Sequence, residues 1–179
     1  AGMYKAMGEY ARAEPLYLQA RDLYRKVLGE NHPDYATCLN NLAGLYKAMG
    51  EYAKAEPLFV QSRDLSKRVL GENHPLYATS LNNLAGLYEA TEEYAKAEPL
   101  FVQSRDLRKK LLGENHPEYA TSMHNLAVLY KAMGEYAKAE PLYLQARDLR
   151  KKLLGENHPD YATSLNNLAL LYVAMGEYA

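Results

Sequence analysis

Shifted by 42 residues, the chain falls back on itself: the segment that starts at Gly8 has close copies starting at Gly50, Glu92 and Gly134. A fixed period of this length is the mark of a repeat architecture, in which each unit buries its apolar face only against its neighbours. The period divides residues 1–179 into one array, with full units at 8–49, 50–91, 92–133 and 134–175 and partial units at 1–7 and 176–179. The last two copies differ at nine of 42 positions. Such uniformity bears on function. Catalysis needs unlike groups converging on one point, whereas a stack of near-identical units repeats like groups along a line, which suits extended binding.

Composition narrows the classes further. Hydrophobic residues make up 48% of the chain, with 17 tyrosines, two phenylalanines and no tryptophan, enough for burial spread along an array. A net charge of −1 gives no general attraction to nucleic acid or to an anionic membrane. The single cysteine, Cys38, stands where the other copies have Ser80, Ser122 and Ser164. It reads as a small neutral substitute, cannot form an internal disulfide, and fits a reducing, cytoplasmic setting. No stretch looks like a secretion signal, and no apolar run approaches the ~20 residues that cross a bilayer. The chain lacks an initiator Met and starts partway through a unit, as a segment of something longer would.

Within one unit, Leu39, Leu42, Ala43 and Tyr46 are spaced i, i+3, i+4, i+7 and predict a helix, A, from about Pro33 to Ala48. Proline suits the first helical position, and Asn31 or His32 can cap it. Gly50 breaks this helix at a tight turn, Gly50-Glu51-Tyr52. A second helix, B, is expected from about Ala53 to Leu70, with Ala55, Leu58, Phe59, Ser62, Leu65 and Val69 inward. Gly71 is the expected left-handed terminator, and Glu72-Asn73-His74-Pro75 leads into the next helix A. Pro57 lies too deep for the free first turn and should bend helix B slightly. Glu51 and Glu56 near the start of helix B, and Arg63, Lys67 and Arg68 near its end, match the helix dipole. The corresponding Arg105, Arg108, Lys109 and Lys110 read as a solvated helix end, with a basic binding stripe as the alternative. The expected fold is all-α: about four antiparallel helix pairs stacked as an α-solenoid.

The pattern Leu39-x-x-Leu42-Ala43-x-x-Tyr46, Gly50-x-Tyr52, Ala55-x-x-x-Phe59 resembles the tetratricopeptide (TPR) signature, and it recurs along the whole chain. Two features depart from that family. The period exceeds the usual 34 residues, and the closing proline expected near Lys67 is missing. The Leu-Asn-Asn-Leu-Ala, Ala-Glu-Pro-Leu and Leu-Gly-Glu-Asn-His-Pro segments resemble the long repeats of kinesin light chains and of related bacterial arrays. The near-identity of the copies is more like the bacterial arrays, or a design derived from them. The resemblance implies a right-handed superhelix whose helices A line a concave groove that holds a peptide of a partner protein. It also implies that an asparagine after the first large signature position clamps the ligand backbone. The matching residues are Asn41, Asn83, Asn125 and Asn167, and the rival reading is that they bond neighbouring helices and stiffen the array.

Differences between copies point to the same face. In helix A the main differences fall at Asn40/Asn82/His124/Asn166, at Gly44/Gly86/Val128/Leu170 and at Lys47/Glu89/Lys131/Val173, spaced i, i+4, i+7. Free exchange of size and charge on one face, away from the Leu39, Leu42, Tyr46 stripe, predicts an open groove floor or an idle surface. Burial of Gly44, Gly86 and Val128 between helices would rule the groove out. The candidate groove residues are therefore Asn40, Asn41, Lys47, Asn82, Asn83, Glu89, His124, Asn125, Lys131, Asn166 and Asn167. In helix B, Tyr17, Leu18 and Ala20 in one copy become Phe59, Val60 and Ser62 in the next. Phe101, Val102 and Ser104 follow the second pattern, and Tyr143, Leu144 and Ala146 the first, which predicts coupled packing in the core.

No metal, cofactor or catalytic site is expected. His32, His74, His116 and His158 recur once per helix pair, roughly 16–20 Å apart at ~8–10 Å per helix, too far to share a zinc ion. Each precedes a proline, where capping is the simpler role. No phosphate loop or nucleophile elbow is present. The function expected is a non-catalytic protein-interaction scaffold that takes a partner's peptide in its groove. The alternatives are a rod that self-associates end to end and a sensor array in a larger bacterial signalling protein. Neither nucleic acid nor membrane is an expected partner.

Overall fold

In a computed structural model of the chain, residues 9–176 are described; the partial units expected at 1–7 and 176–179 lie outside the described residues, apart from Gly176. The described residues form eight helices and no strand. The four helices B are α1 (Tyr10–Leu28), α3 (Tyr52–Leu70), α5 (Tyr94–Leu112) and α7 (Tyr136–Leu154). They alternate with the helices A, namely α2 (Pro33–Ala48), α4 (Pro75–Ala90), α6 (Pro117–Ala132) and α8 (Pro159–Met175). The chain divides into two compact units between Glu92 and Glu93, so that α1–α4 form the first and α5–α8 the second.

Local chemistry sets the helix ends. The Nδ1 atoms of His32, His74, His116 and His158 accept the main-chain N–H two residues on, at 3.2, 3.1, 3.2 and 3.1 Å. The histidines are thus N-caps beside Pro33, Pro75, Pro117 and Pro159. Helix B begins one residue earlier than the spacing predicts, at Tyr52, because the Glu51 carbonyl already accepts from the N–H groups of Lys54 and Ala55. The Glu51 side chain makes no cap bond. At the end of helix A, Gly50 has φ 76°, and Glu51 N–H donates back to Tyr46 O at 2.9 Å, closing the last turn. Gly71 differs from the left-handed helical terminator expected of it. Its φ of 82° is positive, but its ψ of 170° is extended, a region open almost only to glycine. Helix α3 runs unbroken through Pro57.

One turn departs from the pattern. Glu92 occupies the place of Gly50 and Gly134 and adopts φ 60°, while those glycines sit at 76° and 75°. A side chain in this region costs about 1 kcal/mol, so Glu92→Gly is expected to raise stability by about that amount. Urea midpoints of the two proteins check this, and an unchanged midpoint would contradict it.

In the first unit, Tyr35, Ala36, Leu39 and Leu65 form a buried cluster, with Leu58 and Val69 packed half-buried against it. Ser62 Oγ donates to Ala36 O at 2.8 Å, which satisfies a hydroxyl inside the seam. Phe59, Phe101 and Tyr143 are all buried, as are Ser62, Ser104 and Ala146, while Leu18, Val60, Val102 and Leu144, and Tyr17 and Ala20 in the first copy, are half-buried.

A further set of contacts ties each helix B to the helix A that follows. Tyr46 donates to Glu14 at 2.8 Å, Tyr88 to Glu56 at 2.9 Å, Tyr130 to Glu98 at 2.9 Å and Tyr172 to Glu140 at 3.0 Å. Glu56, read in the sequence as a dipole match, is thus the acceptor of a half-buried tyrosine bond. The basic helix ends also need correction. Arg63, Lys67, Arg105 and Lys109 pair at the surface with Asp64, Glu72, Asp106 and Glu114. Arg108 and its equivalent Arg150 are buried, at 6% and 7% exposure. Helix A of the following pair covers them, and a dipole argument confined to one helix does not reveal that cover.

Candidate peptide-binding face

In the first unit, α2 and α4 lie side by side, and their variable positions share one face. Asn83 Nδ2 donates to Asn40 Oδ1 at 3.1 Å, and Asn82 Nδ2 reaches Asn83 Oδ1 at 3.4 Å. Neither Gly44 nor Gly86 is buried, and Asn41 is exposed. Lys47 extends from α2 across α4: a Cβ added at Gly86 would meet Lys47 Nζ at 3.0 Å. Glycine at 86 therefore makes room for the ammonium group. Beside it, burial pushes the Glu89 carboxyl above its usual range, and the Lys47 charge pulls it partly back. The face thus combines amides, one cation and one half-buried acid.

In the second unit, α6 and α8 carry the equivalent positions. Asn125, Val128, Lys131 and Asn167 are half-buried, and Asn166 is exposed. Leu170 and Val173, in the places of Gly44 and Lys47, are 45% and 53% exposed. The second face is therefore more apolar than the first. His124, expected on an open floor, sits deeper than that. Its ring meets Tyr143 edge-on at 5.5 Å and 69°, and its Nε2 lies 3.4 Å from Asn167 Nδ2. The side-chain amide of Asn167 thus reaches the imidazole across the two helices. Nδ1 is buried without a hydrogen-bond partner among the described residues. Burial, with the Arg150 guanidinium nearby, pushes the imidazole down to about 4, against a smaller opposing pull from Asp160.

Two of the four asparagines are already engaged. Asn83 bonds across to α2, and Asn167 reaches α6 in the same manner, so the helix-tying role read as the rival to ligand clamping is present in the fold. Val128, like Gly44 and Gly86, is half-buried. The Tyr–Glu bonds escaped the sequence reading because their partners lie 32 residues apart in different helices. Both residue types recur in every copy, which is the only signal they leave. Among the described residues, no three His, Cys, Asp or Glu side chains are placed to hold a metal ion, and no helix is long and apolar enough to cross a membrane.

The tetratricopeptide repeat family pattern matches residues 1–67, 39–110, 81–152 and 120–179, which together span the chain. No curated protein sequence matches significantly. Among solved structures, BtubC (BKLC) from P. vanneervenii is similar over 98% of this chain and 70% of its own, at 25% identity and a TM-score of 0.84. A Podosopora anserina protein of kinesin light chain type, with nearly identical TPR-like repeats, is similar over 98% of this chain and 83% of its own, at 30% identity and a TM-score of 0.81. A Rap protein complexed with Competence and Sporulation Factor shares the fold, with a TM-score of 0.81 at 16% identity over 98% of this chain and 47% of its own.

Proposed function

The chain belongs to the tetratricopeptide repeat family, and on that premise we propose that it is a non-catalytic interaction scaffold whose helix-A faces receive a peptide segment of a partner protein. One observation carries this reading. On the helix-A faces, size and charge vary between copies at positions that are half-buried or exposed, namely Gly44, Lys47, Gly86 and Glu89 on one face and Val128, Lys131, Leu170 and Val173 on the other. Asn41, Asn83, Asn125 and Asn167 stand beside them with amide groups that suit a peptide backbone.

A displayed peptide library panned on the wild-type chain, then on the Asn83→Ala, Asn125→Ala variant, tests the proposal. Peptides retained by the wild type are expected to bind the variant about tenfold more weakly, as loss of about 1.4 kcal/mol would give. Thermal melting of both proteins separates this loss from unfolding. Equal retention by both proteins, or no retained peptide at all, would overturn the reading.

A second reading rests on the outer helices. Leu23 and Val27 on α1 are 59% and 67% exposed, and Leu165 on α8 is 43% exposed. The equivalents Leu65 and Leu107, at 3% and 8%, and Leu39 and Leu81, at 0% and 1%, are buried. A second copy placing its α8 against α1 would reproduce the α2–α3 pairing and cover both faces. Sedimentation velocity across a concentration series tests this. Association lost in Leu23→Asp supports it, and a monomer at all concentrations removes it.

A further inference from the structure

Each unit contains two seams where a helix B meets the next helix A: α1–α2 and α3–α4 in the first, α5–α6 and α7–α8 in the second. A Tyr–Glu bond pins one end of every seam alike. The other end changes from seam to seam, and it changes in a correlated way. Helix B presents Tyr24, Ser66, Arg108 and Arg150 at equivalent places, and helix A presents Asp34, Leu76, Glu118 and Asp160. Where helix B carries arginine, the facing helix carries an acid, and where helix B carries Ser66, it carries Leu76; the first seam, with Tyr24 facing Asp34, stands outside this pairing.

The contacts follow the pairing. Arg108 Nε lies 3.5 Å from Glu118 Oε2. Arg150 Nη1 donates to Ser164 Oγ at 2.9 Å and lies 3.5 Å from the Asp160 carbonyl. In the neutral seam, Ser66 is buried at 2% exposure. The charged pairs are poorly suited to adding stability. Arg108 Nε and Nη1 are buried with no hydrogen-bond partner among the described residues. A buried guanidinium with unsatisfied donors rarely outperforms neutral packing of the same shape, and it is left uncompensated if the half-exposed acid beside it is lost.

We propose that Arg108 with Glu118, and Arg150 with Asp160, act as register keys that sort the helices of this array. Near-identical repeats are prone to pairing one unit out of step, or with the equivalent helix of another chain. Pairing α5 with an α4 sets Arg108 against Leu76, and pairing α3 with an α6 sets Glu118 against Ser66. The first error strands a buried guanidinium against an apolar side chain; the second leaves Glu118, whose side chain is 51% exposed, without its arginine and costs less. The keys therefore act against wrong partners and contribute little to the right ones. The role is independent of what the helix-A faces bind.

The test uses the full chain, refolded from denaturant over a range of concentrations and resolved by size-exclusion chromatography. The variant Arg108→Ser, Glu118→Leu, Arg150→Ser, Asp160→Leu copies the neutral seam into the second unit. It is expected to melt no lower than the wild type, yet to recover severalfold less of the species present before unfolding, with misassembled oligomer rising with concentration. In a double-mutant cycle, Glu118→Leu alone is expected to lower the urea midpoint, and adding Arg108→Ser to restore it. Equal recovery of the four-fold variant and the wild type would overturn the proposal. So would additive single effects, or a four-fold variant that melts well below the wild type or fails to fold, because the pairs would then be stabilising contacts and not sorting ones.

Discussion

Replacing Leu81 with alanine is expected to lower the unfolding free energy by about 3 kcal/mol, and the same replacement at Leu165 by less than about 1 kcal/mol. The two residues occupy the same place in the repeat, in helices of nearly the same sequence. Leu81 is 1% exposed, and Leu39 and Met123 at that place are 0% and 2% exposed, whereas Leu165 is 43% exposed. Removing a fully buried leucine side chain costs its transfer free energy plus the cavity that rigid neighbours leave behind. At Leu165 much of the side chain already meets water and little cavity forms. Stability in a repeat array is close to a sum of unit and interface terms, so the loss at Leu81 should also loosen the adjoining pair. Urea unfolding of the two single variants, followed by helicity, checks the contrast. Equal losses would show that burial at this place is set by the repeat alone and not by the neighbouring helix.

That contrast also marks how far the sequence could be read. The helices were legible because their signals are local: Leu39, Leu42, Ala43 and Tyr46 fall on one stripe, Pro33 opens the helix and Gly50 closes it. The stacking was legible from the period alone. What escaped the reading depends on a neighbour in space. Arg108 looks like any cation near a helix end until α6 covers it, and Glu56 looks like a dipole match until Tyr88 reaches it. On the candidate face, variation between copies marked partly exposed positions such as Lys47 and Glu89, which needs no knowledge of contacts. It did not show that Asn83 is tied to Asn40, nor that His124 turns toward Tyr143, because both depend on the spacing between helices.

Acidification should expose the cost of that buried histidine. In the folded chain the His124 imidazole titrates at about 4, below the usual value of 6.5, because burial and the Arg150 guanidinium disfavour its charged form while Asp160 only partly offsets them. The unfolded chain therefore takes up the proton first. Stability is intact above pH 6.5, falls as the pH drops from 6.5 to 4, and loses nothing further from this group below that. The shift corresponds to a loss of between about 1 and 3 kcal/mol, the lower figure allowing for the solvent that still reaches the ring. His124→Asn places at this position the residue that Asn40, Asn82 and Asn166 supply in the other copies, and it allows the amide pairing with Asn167 that Asn83 makes with Asn40. The variant should lose that increment of acid sensitivity. The carboxylates and the capping histidines are common to both proteins, so the difference in urea midpoint between pH 7 and pH 4.5, compared across the pair, isolates the imidazole. A variant as acid-sensitive as the wild type would mean that His124 gains its proton without disturbing the seam, and that its burial against Tyr143 does not keep it neutral.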